Sequence, residues 1–216
     1  MTYWNDKRAV IVGGSAGLGR AVAKTLLQRG ARVAVVARGQ QQLDATVGEL
    51  KRFGQVLAIS ADITKQSDVE QLAAKVESDW GGVDVLCQSA GVSMRGTALD
   101  TSPEDYQRLW ELNFLSSVRC VQVFAASLSV SHGHAVLIGS LASKAASRYL
   151  GAYPASKFAL AAFAQQLRME NGKDGFHTLL VCPGPIARGD RAISGARYSD
   201  QARDLPVRHG RLSQYC

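Results

Sequence analysis

The chain has 216 residues, 46% of them hydrophobic and 20% charged, which suits one α/β domain with a full apolar core. Its formal net charge is +7. Residues 186–216 hold six arginines against three aspartates, and the rest of the chain 19 basic residues against 15 acidic ones. The excess is dispersed and no basic run alternates with aromatics, so no nucleic-acid partner is expected. No apolar stretch approaches the roughly 20 residues that cross a bilayer, and residues 1–8 lack the apolar run of a signal peptide. Cys87, Cys120, Cys182 and Cys216 are scattered, without CxxC or metal-like spacing. Three of them sit in apolar runs, where a free cysteine behaves as a small hydrophobe. The expectation is a reduced, cytoplasmic protein without a metal site.

Strand and helix patterns alternate six times along the chain. Residues 9–12 form a short apolar run closed by glycines, a buried strand. A helix over 17–29 follows, with Ala21, Val22, Leu26 and Leu27 apolar and Gly30 placed to end it. Next come a strand over 33–36, a Gln-rich helix over 40–52, a strand over 56–59, a helix over 66–79 and a strand over 83–87. One long helical region covers about 103–130, with Pro103 in its first turn. A strand over 134–138, a helix over 152–170 and a strand over 178–181, closed by Pro183-Gly184-Pro185, complete the pattern. Strands apolar on both faces need helices on both sides. The predicted fold is therefore α/β: a doubly wound parallel sheet of Rossmann type in three αβα layers.

The first strand runs into Gly13-Gly14-Ser15-Ala16-Gly17-Leu18-Gly19. Glycines there let the backbone turn tightly and let a pyrophosphate approach without meeting a Cβ, while the next helix aims free N–H groups and its positive dipole end at that anion. NAD sites place an acid at the end of the second strand to bind a ribose hydroxyl. This chain has Val36-Ala37-Arg38-Gly39 instead, and Arg38 suits a 2′-phosphate through its planar fork, with Arg20 placed to help. NADP(H) is the expected cofactor, with NAD(H) as the alternative.

Tyr153 and Lys157 are four residues apart on a predicted helix, hence one turn apart on one face. An ammonium beside a phenol favours the phenolate, so the pair can serve as general acid/base. Ser140 follows the fifth strand, at the carboxyl ends of the strands where such sheets bind ligands. Its hydroxyl could hold a substrate carbonyl oxygen; Ser143 is a weaker rival.

From its first strand through Pro185 the chain resembles the short-chain dehydrogenase/reductase family. The matching pieces are Gly13-x-x-x-Gly17-x-Gly19, Asp62 after the third strand, Ala90-Gly91 after the fourth, Asn113, Ser140, Tyr153 with Lys157, and Pro183-Gly184 after the sixth. The resemblance implies that Tyr153 is the proton donor or acceptor, that Lys157 lowers its pKa and holds the nicotinamide ribose, that Ser140 orients the substrate oxygen, and that Asn113 supports a proton-relay water. It further implies that Asp62 and Ile63 meet the adenine, that Ser89, Ala90 and Gly91 border the cofactor, and that residues 183–186, Pro183 through Ile186, flank the nicotinamide. A homodimer or homotetramer packed through the helices at 103–130 and 152–170 is implied as well.

Three positions depart from the family pattern. Val12 stands where a threonine is usual and Ser89 where an asparagine is usual. These two sites ordinarily support each other by hydrogen bonding, so the departures read as a paired change. Arg188 stands where a threonine is frequent. Residues 1–185 read as the dinucleotide-binding and catalytic domain, and 186–216 as an irregular C-terminal segment: a chain cut short or a reduced substrate lid. The expected function is hydride transfer between NADP(H) and a small-molecule carbonyl or alcohol. Two alternatives stand beside it: a non-catalytic NADP(H)-binding sensor or regulator, and a relative acting on a C=C bond or an epimerisable sugar.

Overall fold

Six short runs, mostly apolar and rich in valine, lie side by side in a computed structural model that describes residues 3–171 and 175–186. They are β1 (Arg8–Val12), β2 (Arg32–Ala37), β3 (Val56–Ser60), β4 (Val85–Gln88), β5 (His134–Ile138) and β6 (His177–Val181). All pair in parallel, in the order β3-β2-β1-β4-β5-β6. The helices between them are α1 (Gly17–Gln28), α2 (Gln40–Leu50), α3 (Gln66–Trp80), α4 (Pro103–Trp110), α5 (Ser116–Val130) and α6 (Tyr153–Asn171).

Successive strand residues face opposite sides, and both sides are apolar. Val10, Val12, Val36, Leu86 and Leu137 pack with Leu72 of α3, Phe124 of α5 and Leu160 of α6. Ala9, Ile11, Val33, Val35 and Cys87 pack with Leu26 and Leu27 of α1 and Leu43 of α2. The predicted doubly wound, three-layer architecture is what forms. Burial pushes the Cys87 and Cys120 thiols up to about 12, so both act as small core hydrophobes. Among the described residues no helix is long and apolar enough to cross a membrane.

Strand order reverses at β1, which has β2 on one side and β4 on the other, with Val12 beside both Val36 and Gln88. Connections leave in opposite directions there, opening a crevice at the carboxyl ends of the strands. The glycine loop after β1 lies in it.

The long helix predicted over 103–130 is broken. Between α4 and α5, residues Glu111–Leu115 form a π-helical turn, in which the Ser116 N–H donates to the Glu111 carbonyl. Nothing in the local sequence marks it, since it holds no proline or glycine. The cause is tertiary: the Asn113 side chain bonds to a loop beyond β4, as described below, and one extra residue in the turn accommodates that bond.

The sheet belongs to the unit Met1–Pro183. Of the second unit, Gly184–Cys216, Gly184, Pro185 and Ile186 are described and exposed. The expectation for the rest of 186–216, with Arg188 and Cys216, lies outside the described residues. Among those described, β6 is outermost on its side and Leu179 is half exposed.

At the amino ends of the strands a carboxylate joins β1 to the start of β4. Asp84 Oδ2 accepts the Arg8 backbone N–H at 2.9 Å and the Arg8 side-chain Nε–H at 2.8 Å, and Lys7 stands 3.5 Å from Oδ1. Burial alone would raise the Asp84 pKa, but the Arg8 bonds and the two cations together hold it below the usual 3.8. A depressed carboxylate pKa stabilises the fold above the unfolded value and ceases to as pH falls through the folded value. Asp84→Asn should therefore cost about 1–3 kcal/mol at neutral pH. In urea titrations its deficit against the parent should shrink below the ordinary carboxylate range; a deficit constant with pH would contradict the pairing.

Candidate active site

The loop after β1 is shaped by close approaches. Gly13 has φ +78°, and a Cβ there would lie 2.7 Å from the Ala90 nitrogen. A Cβ on Gly19 would collide with the Gly13 carbonyl oxygen and Ser89 Oγ, so α1 enters the sheet closely only because position 19 is bare. Gly17 (φ +51°) faces open space. Ala16, at the N-cap of α1, offers no capping side chain and the first turn holds no acid, so no side chain there competes for the helix's first N–H groups. That bare, uncapped turn fits a dinucleotide pyrophosphate. On the other flank the Ser15 carbonyl accepts the Thr46 hydroxyl at 3.0 Å and Gln42 Nε2 at 3.4 Å, tying the loop to α2.

The departures at Val12 and Ser89 resolve together. Ser89 Oγ donates to the Val12 carbonyl at 2.7 Å, beside the strand-like bond from its own N–H at 2.9 Å. The shorter side chain finds a backbone acceptor on β1, so the valine leaves no buried hydroxyl partner missing.

After β3, Asp62 Oδ1 accepts the Thr64 N–H at 3.1 Å and the Thr64 hydroxyl at 2.8 Å. Burial raises the Asp62 pKa, but these bonds and the charges of Arg38 and Lys65 outweigh it, and the carboxyl sits below its usual range. Arg38 is exposed just past β2 and close enough to be felt by Asp62. Arg20 is turned instead to Glu49 of α2, at 3.3 Å, a surface pair that a stronger anion could displace. Ile63 is 4% exposed, within the core beside α3; its side chain serves packing.

The predicted proton-transfer residues converge past β4 and β5. Tyr153 opens α6 and is half-buried. Lys157, one turn on, is 5% exposed; its Nζ donates to the Ile138 carbonyl at 2.9 Å and lies 5.9 Å from the centroid of the Tyr153 ring. Burial drives the Lys157 pKa down to about 8, with a smaller opposing pull from Cys182. A Cβ on Gly91 would stand 2.9 Å from Asn113 Oδ1 and 3.6 Å from Lys157 Nζ, so this glycine lets the amide and the amine approach the β4 loop.

Asn113 is 1% exposed and its amide is fully engaged. Oδ1 accepts the Val92 N–H at 2.8 Å, and Nδ2 donates to the Val92 carbonyl at 2.9 Å and to Ser156 Oγ at 3.0 Å. Ser140 lies two residues past Ile138, its Oγ accepting the Ala142 N–H at 3.1 Å, in a turn that packs on α6. The rival Ser143 is buried, and its hydroxyl accepts the Ser140 N–H at 3.1 Å. It fixes Ser140 and is not presented to a ligand. The Pro183 carbonyl accepts the Leu141 N–H at 3.1 Å, closing the β5 exit onto the β6 exit.

Sequence reasoning passed over Thr46, Ser143 as a support, and Ser156. Of these only Ser156 had a local signal, since it lies within the Tyr153–Lys157 turn.

A glycine loop at the switch point of a parallel sheet, with a tyrosine and a buried lysine at the carboxyl ends of its strands, defines a Rossmann-type α/β protein. The family model described as short chain dehydrogenase matches residues 7–194, and the chain belongs to that family. It is 35% identical over 189 residues to dehydrogenase/reductase SDR family member 7B of Danio rerio, covering 84% of this chain and 61% of that relative. It is 33% identical over 182 residues to a 3-oxoacyl-[acyl-carrier-protein] reductase of Bos taurus, covering 84% and 76%. Among solved structures, the alcohol dehydrogenase of Thermococcus sibiricus complexed with 5-hydroxy-NADP superposes with a TM-score of 0.80 at 30% identity, over 84% of this chain and 77% of that one. The L-sorbose reductase of Gluconobacter frateurii complexed with NADPH and L-sorbose superposes at 0.83 and 27%, over 93% and 76%.

Gly19→Ala tests the close approach of α1. The added methyl meets backbone and a hydrogen-bonded hydroxyl, which outweighs the better helix propensity of alanine. We expect a loss of about 1–3 kcal/mol in denaturant unfolding; an unchanged or raised stability would show that the helix does not enter so closely.

Proposed function

We propose that the protein is an NADP(H)-dependent oxidoreductase that interconverts a carbonyl and an alcohol on a small molecule. The observation that carries this reading is Lys157, buried with its amine below the Tyr153 ring. The cofactor, when bound, supplies or takes the hydride; the residues of the chain bind, orient and move the proton. The first turn of α1 and the loop 13–19 hold the pyrophosphate, with Ser89, Ala90 and Gly91 beside them. Asp62 and the backbone of Ile63 border the adenine, and Pro183, Gly184 and Ile186 the nicotinamide. Ser140 Oγ already accepts a backbone N–H, so its own proton is directed at the substrate oxygen. Tyr153 gives its proton to that oxygen in reduction and takes it back in oxidation, while the Lys157 ammonium stabilises the phenolate and reaches the ribose. Asn113, its side-chain amide spent on Val92 and Ser156, supports a proton-relay water. Exposed Trp110 on α4 and Phe158 on α6 favour a homodimer or homotetramer, and the three unpaired cysteines among the described residues favour a reduced, cytoplasmic setting. NAD(H) is the alternative cofactor.

Tyr153→Phe should lower kcat for reduction of carbonyl compounds by roughly 10²-fold or more and leave NADPH affinity nearly unchanged in fluorescence titration. Near-normal turnover would remove Tyr153 from the chemistry. The same titration should show NADPH bound more tightly than NADH, with Arg38→Ala cutting that preference by roughly tenfold. Equal affinities in the parent chain would contradict the assignment of Arg38.

A further inference from the structure

We infer that Ser156 is a positioning residue for Tyr153, tying the first turn of α6 to the Asn113 amide and through it to the loop after β4. This rests on the proposed role of Tyr153. Ser156 is 1% exposed. Its hydroxyl donates to the Tyr153 carbonyl at 2.8 Å and accepts from Asn113 Nδ2 at 3.0 Å. Asn113 is clamped in turn by both backbone groups of Val92. A buried relay of side-chain and backbone bonds therefore runs from the β4 loop, through the π turn, to the residue proposed to carry the proton.

The position of Tyr153 explains why such a tie is needed. It is the first residue of α6, and a helix terminus lacks the full set of backbone bonds and frays most easily. The segment before it turns on Gly151, at φ +51°, so chain connectivity alone does not hold the end of the helix. Two neighbouring bonds steady the backbone: the Tyr153 N–H to the Leu150 carbonyl at 3.0 Å, and the Ala152 N–H to Met94 Sδ at 3.4 Å. Beside the direct bond from Ala152 to Met94 of the β4 loop, the Ser156 hydroxyl reaches the start of that loop through Asn113, whose Oδ1 lies beside Gly91 and near the site of Lys157 Nζ. Loss of that hydroxyl leaves a buried amide proton without an acceptor and lets the Asn113 side chain and the Tyr153 turn shift independently. Displacement of a reacting group by about 1 Å suffices to cost roughly 100-fold in rate.

The test compares the 216-residue chain with Ser156→Ala, Ser156→Cys, Asn113→Ala and the Ser156→Ala/Asn113→Ala double variant. Three readouts are taken: NADPH affinity, kcat with a panel of carbonyl compounds, and the NMR signals of the Tyr153 ring and the Asn113 side-chain amide. Ser156→Ala is expected to lower kcat roughly 10- to 100-fold with NADPH affinity unchanged. It should shift the Tyr153 ring signals and speed exchange of one Asn113 amide proton. The thiol of Ser156→Cys should restore part of kcat. The double variant should be no slower than Asn113→Ala alone, because both changes break one relay. A Ser156→Ala protein that is merely less stable, with kcat and Tyr153 signals as in the parent, overturns the inference, as does a fully multiplicative double variant. If the parent chain turns over no carbonyl or alcohol with either cofactor while Ser156→Ala still moves the Tyr153 ring signals, the positioning role stands and the proposed function fails.

Discussion

One ammonium group, removed from water at the carboxyl end of a parallel sheet, is the constraint around which the site is arranged. Lys157 is 5% exposed and spends one proton on the Ile138 carbonyl. Burial lowers its pKa from 10.5 to about 8, because a charged amine loses solvation that a single carbonyl only partly replaces. Such a group survives only where neighbours make room and leave it polar partners. Gly91 makes the room, the end of β5 offers the carbonyl, and the turn at 141–143 packs on the same helix. The apolar residues that fix α6 on the sheet, Leu160 and Ala164 among them, hold the amine in place.

The π turn in the middle of the long helical region serves the same arrangement from the other side. An unbroken α-helix through 103–130 would present different residues to the β4 loop. One extra residue in the turn brings Asn113 under Val92, where both backbone groups of that residue are met. Ser116 and Ser117 then send hydroxyls back to the Leu112 and Asn113 carbonyls, patching the irregular ladder from within. Gln88 also donates to Ser116, at 3.3 Å, while its Oε1 is left buried without a partner.

The sheet and its two covering layers were legible in the sequence, because alternation of apolar runs with helical periodicity is a local signal that survives burial. The placement of Gly13, Gly17 and Gly19 between β1 and the start of α1, and of Tyr153 and Lys157 one turn apart on α6, was legible as well, because spacing along the chain carries it. What the sequence concealed depends on partners far along the chain. The π turn at 111–115 follows from a bond across 21 residues, between Asn113 and Val92. The part of Ser143 as support for Ser140, and of Ser156 as a link, depends on which way each hydroxyl turns, and serine type does not reveal that. The Ile63 side chain packs in the core, as isoleucine commonly does, so only its backbone is left for the adenine expected there. The paired change at Val12 and Ser89 was anticipated as such, but its resolution, a hydroxyl bonded to the neighbouring backbone, needed the geometry.

The most direct measurement is an NMR titration of the Lys157 side chain in the 216-residue chain, with 13C- and 15N-labelled lysine and Lys157→Arg to assign the signal. The buried environment described above requires a midpoint near 8, well below the value of a solvated lysine. A midpoint at the ordinary lysine value of 10.5 would mean that the amine is solvated, and that the site is not organised around it.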